Sequence, residues 1–202
     1  MKLLVLSLVL FLSSAQAGLV DFASLKPRSN YGAIVDGDGN QADLALSYRS
    51  LTGALAPSSN RAEFWNTGYS DLEAVAYPDV DGLVMEITLT PVGFNTVTLN
   101  SFYLGSYSGG PVRTASILRV TDGSGVTLWS DEPYKFPGGK AQKIMVNKSG
   151  SQLKILLGQD WNLGLNLINY STSNSLGAVP EPSSVMLALS GAAVLLYRLR
   201  RR

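Results

Sequence analysis

A mainly β protein, folded as an antiparallel β-sandwich or jelly roll, is the fold class the sequence predicts, flanked by an N-terminal signal helix and a short C-terminal hydrophobic helix. Three observations predict it. Apolar residues in the middle of the chain recur with a period of two, turn-forming residues interrupt them at intervals of about 8 to 12 residues, and only residues 42–51 carry a weak helical pattern.

The beginning of the chain reads as an export signal. Met1 and Lys2 precede an uncharged apolar run over residues 3–12, and Ala15-Gln16-Ala17 supplies the small residues a signal peptidase needs. Cleavage after Ala17 leaves Gly18 as the new N-terminus. An apolar run of about ten residues falls short of the ~18 expected of a spanning helix. The remaining chain divides into a β-sandwich domain at 18–170, a flexible linker of small polar residues at 171–178, and a separate C-terminal segment at 179–202.

Within the domain, Leu83, Met85, Ile87 and Leu89 alternate with Val84, Glu86, Thr88 and Thr90, the pattern of a strand with one buried face, and Pro91 ends it. Val97 and Leu99 share one parity and Phe102 and Leu104 the other, which predicts a bulge near Asn100 and Ser101. Residues 116–121 and 126–129 form a hairpin around Asp122-Gly123-Ser124-Gly125. The spacing predicts a second hairpin between residues 143–147 and 152–157. Leu163, Leu165 and Leu167 begin a closing strand that runs to Tyr170.

Composition narrows the function. Removing Lys2 and the four terminal arginines leaves 11 basic residues, and removing Glu181 leaves 14 acidic ones, a net charge of about −3. That balance argues against nucleic acid as a partner. Nine acids fall among residues 21–81, and seven basic residues lie between Arg113 and Lys154. Histidine and cysteine are absent, which removes Ser-His-Asp and Cys-His catalysis and histidine zinc sites. Stability must come from the core, since no disulfide can form.

Candidate chemistry is sparse. Asp36, Asp38 and Asn40 place oxygens at alternate positions, as a Ca²⁺ loop would, although Gln41 and Ser47 depart from the EF-hand pattern; a Gly/Asp turn is the other reading. Asp79 and Asp81 are a second candidate pair for structural Ca²⁺. Apart from that ion no cofactor is expected. Trp65, Tyr69, Tyr77, Tyr103, Tyr107, Trp129, Tyr134 and Trp161 are the aromatic resource; Tyr69, Tyr107 and Tyr134, in loop-like segments, are the candidates for glycan contact, and Trp129 is expected in the core. For catalysis only carboxylates remain: Glu63, Asp71, Glu73, Glu86, Asp131 and Glu132.

The segment at 179–202 carries the sharpest signal. Val179-Pro180-Glu181-Pro182-Ser183-Ser184 should be extended, because each proline disfavours the helical region for the residue before it. Residues 185–197 follow without a charge. Thirteen residues at ~1.5 Å cover roughly 20 Å of a ~30 Å hydrocarbon core, a marginal anchor. Arg198, Arg200, Arg201 and Arg202 then hold the end on the cytoplasmic side and put the domain outside. A tail ending in arginines does not match a GPI signal. This order resembles the PEP-CTERM sorting signal of exported bacterial proteins. The resemblance implies recognition at Pro180, Glu181 and Pro182 by exosortase, a membrane-embedded cysteine protease, after transient anchoring in the inner membrane.

A second likeness concerns the domain. Residues 97–104, 117–129 and 163–170 in this order are similar to the closing strands of galactose-binding-like jelly rolls, with Asn166 and Leu167 where that family often has Asp and Asn. Together these readings imply a non-enzymatic protein of the cell surface or exopolysaccharide matrix, structural, adhesive or carbohydrate-binding, handled by signal peptidase and exosortase. The alternative is a secreted carbohydrate-active hydrolase using a carboxylate pair.

Overall fold

The computed structural model describes residues 15–25, 31–107 and 112–174. The expected signal helix, residues 175–178 of the expected linker, and the sorting motif with the expected C-terminal helix and the arginines lie outside the described residues. Among those described, the only helix is a 3-10 turn, Phe22–Leu25, and no helix is long and apolar enough to cross a membrane.

Among the described residues, fourteen strands fold as one unit that ends at Asn174. A seven-stranded antiparallel sheet runs β12 (Gln142–Gly150), β7 (Thr96–Ser106), β14 (Leu163–Ser173), β5 (Val75–Pro78), β4 (Ala62–Trp65), β2 (Tyr31–Ala33), and β1 (Ala15–Val20) joins it on β14. A five-stranded antiparallel sheet runs β10 (Thr127–Ser130), β9 (Ile117–Asp122), β13 (Leu153–Gly158), β6 (Leu83–Pro91), β3 (Leu44–Thr52). A separate pair joins β8 (Arg113–Ala115) to β11 (Tyr134–Phe136). Leu99, Phe102, Leu104, Leu165 and Ile168 from the larger sheet and Leu46, Met85, Ile87, Val120 and Ile155 from the smaller share one buried cluster. Two sheets closing on one core make the β-sandwich that the alternation predicted.

The alternation in β6 places Met85, Ile87 and Leu89 in that core, as expected, yet the opposite face is also covered. Val84 packs with Leu51, Ile117 and Leu156 in a second cluster, and Glu86 and Thr88 are buried. A central strand flanked by β3 and β13 has neighbours on both sides whose long side chains shelter its outer face; the Lys154 ammonium stands 3.9 Å from the Glu86 carboxylate.

Two expectations are corrected. Residues 42–51 are not helical: Leu44–Thr52 is a strand paired along its whole length with β6, because cross-strand burial of Leu44 and Leu46 outweighs a weak local preference. Nor do β12 and β13 form a hairpin. They belong to different sheets, β12 on β7 and β13 between β6 and β9, so the turn after Gly150 carries the chain from one layer to the other. A polar Gly/Ser turn has the same composition in either case.

The first hairpin stands: Asp122 Oδ1 accepts bonds from the Ser124 and Val126 amides at 2.9 Å, and Gly125 takes a positive φ of 91°. The irregularity near Asn100 is also present. Asn169 and Tyr170 of β14 face Ser101 and Leu99, so Asn100 is the extra residue, and the inward parity changes between Leu99 and Phe102. Beside it Leu167 adopts φ 51°, which turns Leu167 outward and Ile168 into the core. That flip was not expected from the Leu163, Leu165, Leu167 series.

The end of β14 runs past Tyr170. Ser171–Ser173 pair with Ala15–Ala17 on one side and with β7 on the other, and Thr172 is fully buried. The first three residues assigned to the linker therefore belong to the sheet. Tyr170 and Thr172 both donate to the carboxylate of Asp43, at 2.7 Å each, and Asp43 immediately precedes β3 in the other sheet. Gly18 lies opposite Tyr170 in β1, and a Cβ there would collide with the tyrosine ring.

Candidate functional site

The outer face of the seven-stranded sheet carries an aromatic cluster, and two glycines make room for it. Gly105 of β7 and Gly164 of β14 are register partners. A Cβ on Gly105 would stand 2.6 Å from the Tyr69 carbonyl oxygen, and one on Gly164 would stand 2.6 Å from Val75 Cγ2. This side-chain-free strip lets the 66–74 segment lie directly on the sheet. Tyr69 is pressed into it at 1% exposure, and its hydroxyl donates to the Trp161 carbonyl at 2.9 Å.

Around Tyr69 the rings form a continuous row. Tyr69 meets Tyr77 at 5.7 Å and Tyr107 at 5.4 Å between centroids; Tyr107 meets Trp161 at 6.1 Å and Trp65 edge-on at 5.7 Å. At the sheet edge Tyr31, 63% exposed, stacks on Trp65 with centroids 5.6 Å apart and 25° between planes. The stacking follows from register, since Tyr31 of β2 faces Trp65 of β4. Trp65, Tyr103, Tyr107 and Trp161 are half-buried, so the cluster has buried foundations and an accessible outer rim.

Carboxylates flank the rim. Glu63 shares its strand face with Trp65 and faces Tyr77 across β4 and β5. Partial burial and the neighbouring Asp79 hold the Glu63 carboxyl above its ordinary value, and Arg61 works the other way. Neither Glu63 nor Asp79 forms an ion pair among the described residues. Burial, then neighbouring negative groups, push the Tyr77 phenol up to about 12, and burial pushes Tyr69 higher still.

These tyrosines give an alkaline prediction. Their folded values lie above the unfolded value of about 10, so their stabilising contribution is complete below pH 10 and is lost as pH rises from 10 towards 12 and beyond. Denaturant midpoints should hold steady from pH 7 to 9 and fall above 10. Phenolate absorbance from the buried Tyr69 and Tyr77 should appear together with unfolding, and free titration of all tyrosines near pH 10 in the folded protein would contradict the packing.

Of the tyrosines singled out from sequence, only Tyr107 belongs to this accessible rim. Tyr69 is a correction: it lies beneath the rim, where no sugar ring could stack on it. Tyr134, on β11, packs against the main core and not with this cluster. Trp129, expected in the core, packs against it but is half-buried. Tyr31 was missed, because a three-residue strand leaves too little alternation to recognise.

The Asp36–Asn40 loop uses its side-chain oxygens on backbone amides, two of them in β3. Asp36 Oδ1 accepts the Tyr48 amide at 2.8 Å, Asp38 Oδ2 the Val35 amide at 3.0 Å, and Asn40 Oδ1 the Leu46 amide at 2.6 Å. Gly37 and Gly39 take positive φ of 94° and 75°, so the Gly/Asp turn describes the geometry. Asp81 Oδ1 accepts the Trp161 amide at 3.2 Å, which ties the loop after β5 to the aromatic row. Among the described residues no group of three or more His, Cys, Asp or Glu side chains could hold a metal ion.

Asn166, in the position that the jelly-roll comparison makes polar, is 1% exposed and structural: its amide donates to Asp21 Oδ1 at 2.9 Å and its oxygen accepts the Phe22 amide at 2.8 Å. A polar cleft of about 320 Å³ opens between β3 and the segment before β4, with Arg49, Ser58, Asn60 and Arg61 on its walls. Ala15 and Ala17 are exposed residues of β1.

Comparison with known proteins adds one finding at the other end of the chain. Residues 178–202 match the PEP-CTERM protein-sorting motif, which implies export, processing by exosortase and a surface or matrix location. No curated protein matches the chain.

Proposed function

Taking the sorting motif as premise, we propose that the mature protein is a non-enzymatic component of the cell surface or exopolysaccharide matrix that contacts carbohydrate through the aromatic rim of its larger sheet. The observation that carries this reading is the Tyr31–Trp65 stack, an exposed ring on a second ring with carboxylates beside it. Such a platform offers a sugar an apolar face and polar groups at its edge, and its buried layer keeps the rim rigid. The galactose-binding-like jelly roll remains part of this proposal, as a likeness of strand order only.

The carboxylates weigh on the same side. Glu132 is held by Arg119 at 2.7 Å and the Leu118 amide at 3.1 Å, Asp71 accepts the Ala141 amide at 2.7 Å, and Glu86 is buried beside Lys154. Acids engaged in this way serve the fold. Turnover on a polysaccharide panel, lost on changing one acid, would support the hydrolase alternative instead. During export, signal peptidase acts after Ala17 before β1 pairs with β14, since a paired strand does not fit a protease cleft, and the uncharged apolar run at 185–197 anchors the precursor until exosortase acts.

Affinity electrophoresis tests the binding reading. The mature domain should be retarded by at least one polysaccharide of a neutral, amino-sugar and acidic panel. Trp65→Ala should weaken that retardation about tenfold or more, the scale of losing an aromatic anchor, while Tyr134→Ala should not. Retardation by none of them would remove the proposal.

A further inference from the structure

Charge at the aromatic rim identifies the sugar class it fits. We propose that the Tyr31–Trp65 platform takes a polysaccharide bearing free amino groups, a hexosamine polymer that is wholly or partly unacetylated. This rests on the carbohydrate-binding reading and deepens it.

Glu63 and Asp79 supply the first part of the argument. They carry the same sign, lie on the strand face of Trp65 and Tyr77 or just beyond it, and have no ion-pair partner among the described residues. Partial burial first, and the charge of Asp79 second, hold the Glu63 carboxyl above its ordinary value. A ligand that brings a positive charge between them relieves that repulsion. One that brings a carboxylate adds to it.

The rings supply the second part. An ammonium group over the face of Trp or Tyr is attracted by the ring's quadrupole, and the exposed Tyr31 and the half-buried Trp65 present such faces. A hexosamine unit meets both demands at once, with an apolar ring face for stacking and an amine for the carboxylates. Asp81, fixed to the Trp161 amide, and Asp160, close enough to act on Tyr69, extend the negative field along the row, while among the described residues Arg61 acts on Glu63 and Arg113 on Tyr69 in the opposite sense. The mature chain, with 14 acids against 11 bases, adds long-range attraction of the same sign.

Binding should be measured by calorimetry with a glucosamine oligosaccharide, its N-acetylated counterpart, a neutral β-glucan oligosaccharide and an oligouronate. The free-amine ligand should bind about tenfold more tightly than the acetylated one, and the oligouronate should not bind. Glu63→Gln with Asp79→Asn should erase the difference between amine and acetamide; Arg61→Gln should widen it. Trp65→Ala should weaken binding of both about tenfold or more. Circular dichroism checks that the variants are folded, and because the arginine and carboxylate changes act in opposite directions, general damage cannot mimic the pattern. Equal affinity for amine and acetamide, preference for the uronate, or equal binding to polylysine would overturn this inference and leave the sugar-binding reading in place. No binding to any saccharide would overturn both.

Discussion

Asp43→Ala should cost the mature domain about 3 kcal/mol and lower its melting temperature by roughly 10 °C. Asp43 is 4% exposed, and its two oxygens each accept a hydroxyl, from Tyr170 and from Thr172, both buried. Removing the carboxylate leaves two buried donors without an acceptor, each costing about 1 to 3 kcal/mol. The position makes the loss more than local. Asp43 opens β3 in the smaller sheet and the two hydroxyls sit on β14 in the larger, so the bonds fasten the layers where the chain runs out towards its C-terminus. Asp43→Asn keeps an acceptor oxygen and should cost about 1 kcal/mol, as should Tyr170→Phe. In a double-mutant cycle the Asp43→Ala and Tyr170→Phe effects should not add. Additive effects, or an Asp43→Ala midpoint within error of wild type, would mean that the bonds do not hold the layers.

None of that clamp could be read from the sequence, although its strands could. Long strands in the second half of the chain announce themselves: Leu83, Met85, Ile87 and Leu89 alternate over enough residues for the period to be unmistakable, as do Val97 to Leu104 once a bulge is allowed. Three strands of the first half have only three or four residues, Tyr31–Ala33, Ala62–Trp65 and Val75–Pro78, too short for periodicity to separate them from loops. Tyr31, Trp65 and Tyr77 of the aromatic site lie on those short strands and Tyr69 lies between two of them, so local pattern neither reveals the exposed Tyr31 nor distinguishes the buried Tyr69 from a loop residue. Burial at Tyr69 depends on Gly105 and Gly164, 36 and 95 residues away in sequence. Local composition does not encode such a meeting. Sheet membership is another non-local property: the turn at residues 148–151 has hairpin chemistry, and only the pairing partners of β12 and β13 decide that it joins two layers. By contrast the sorting motif is legible because its information is linear, an ordered series of proline, apolar and arginine segments that needs no tertiary partner.

Changing Pro180 and Pro182 together to alanine should leave the full-length protein in the membrane fraction, whereas the wild-type chain should be processed and leave it. Each proline holds its predecessor extended, and a protease cleft binds extended chain; alanine removes the restriction and favours helix, so that the apolar helix predicted from Val185 could grow backward through the recognition site. Immunoblotting with tags at residue 18 and at the C-terminus reads the outcome directly: wild type should lose the C-terminal tag, and the double variant should keep both tags and sediment with membranes. Normal loss of the tag from the variant would mean that Pro180 and Pro182 are not part of the processing signal.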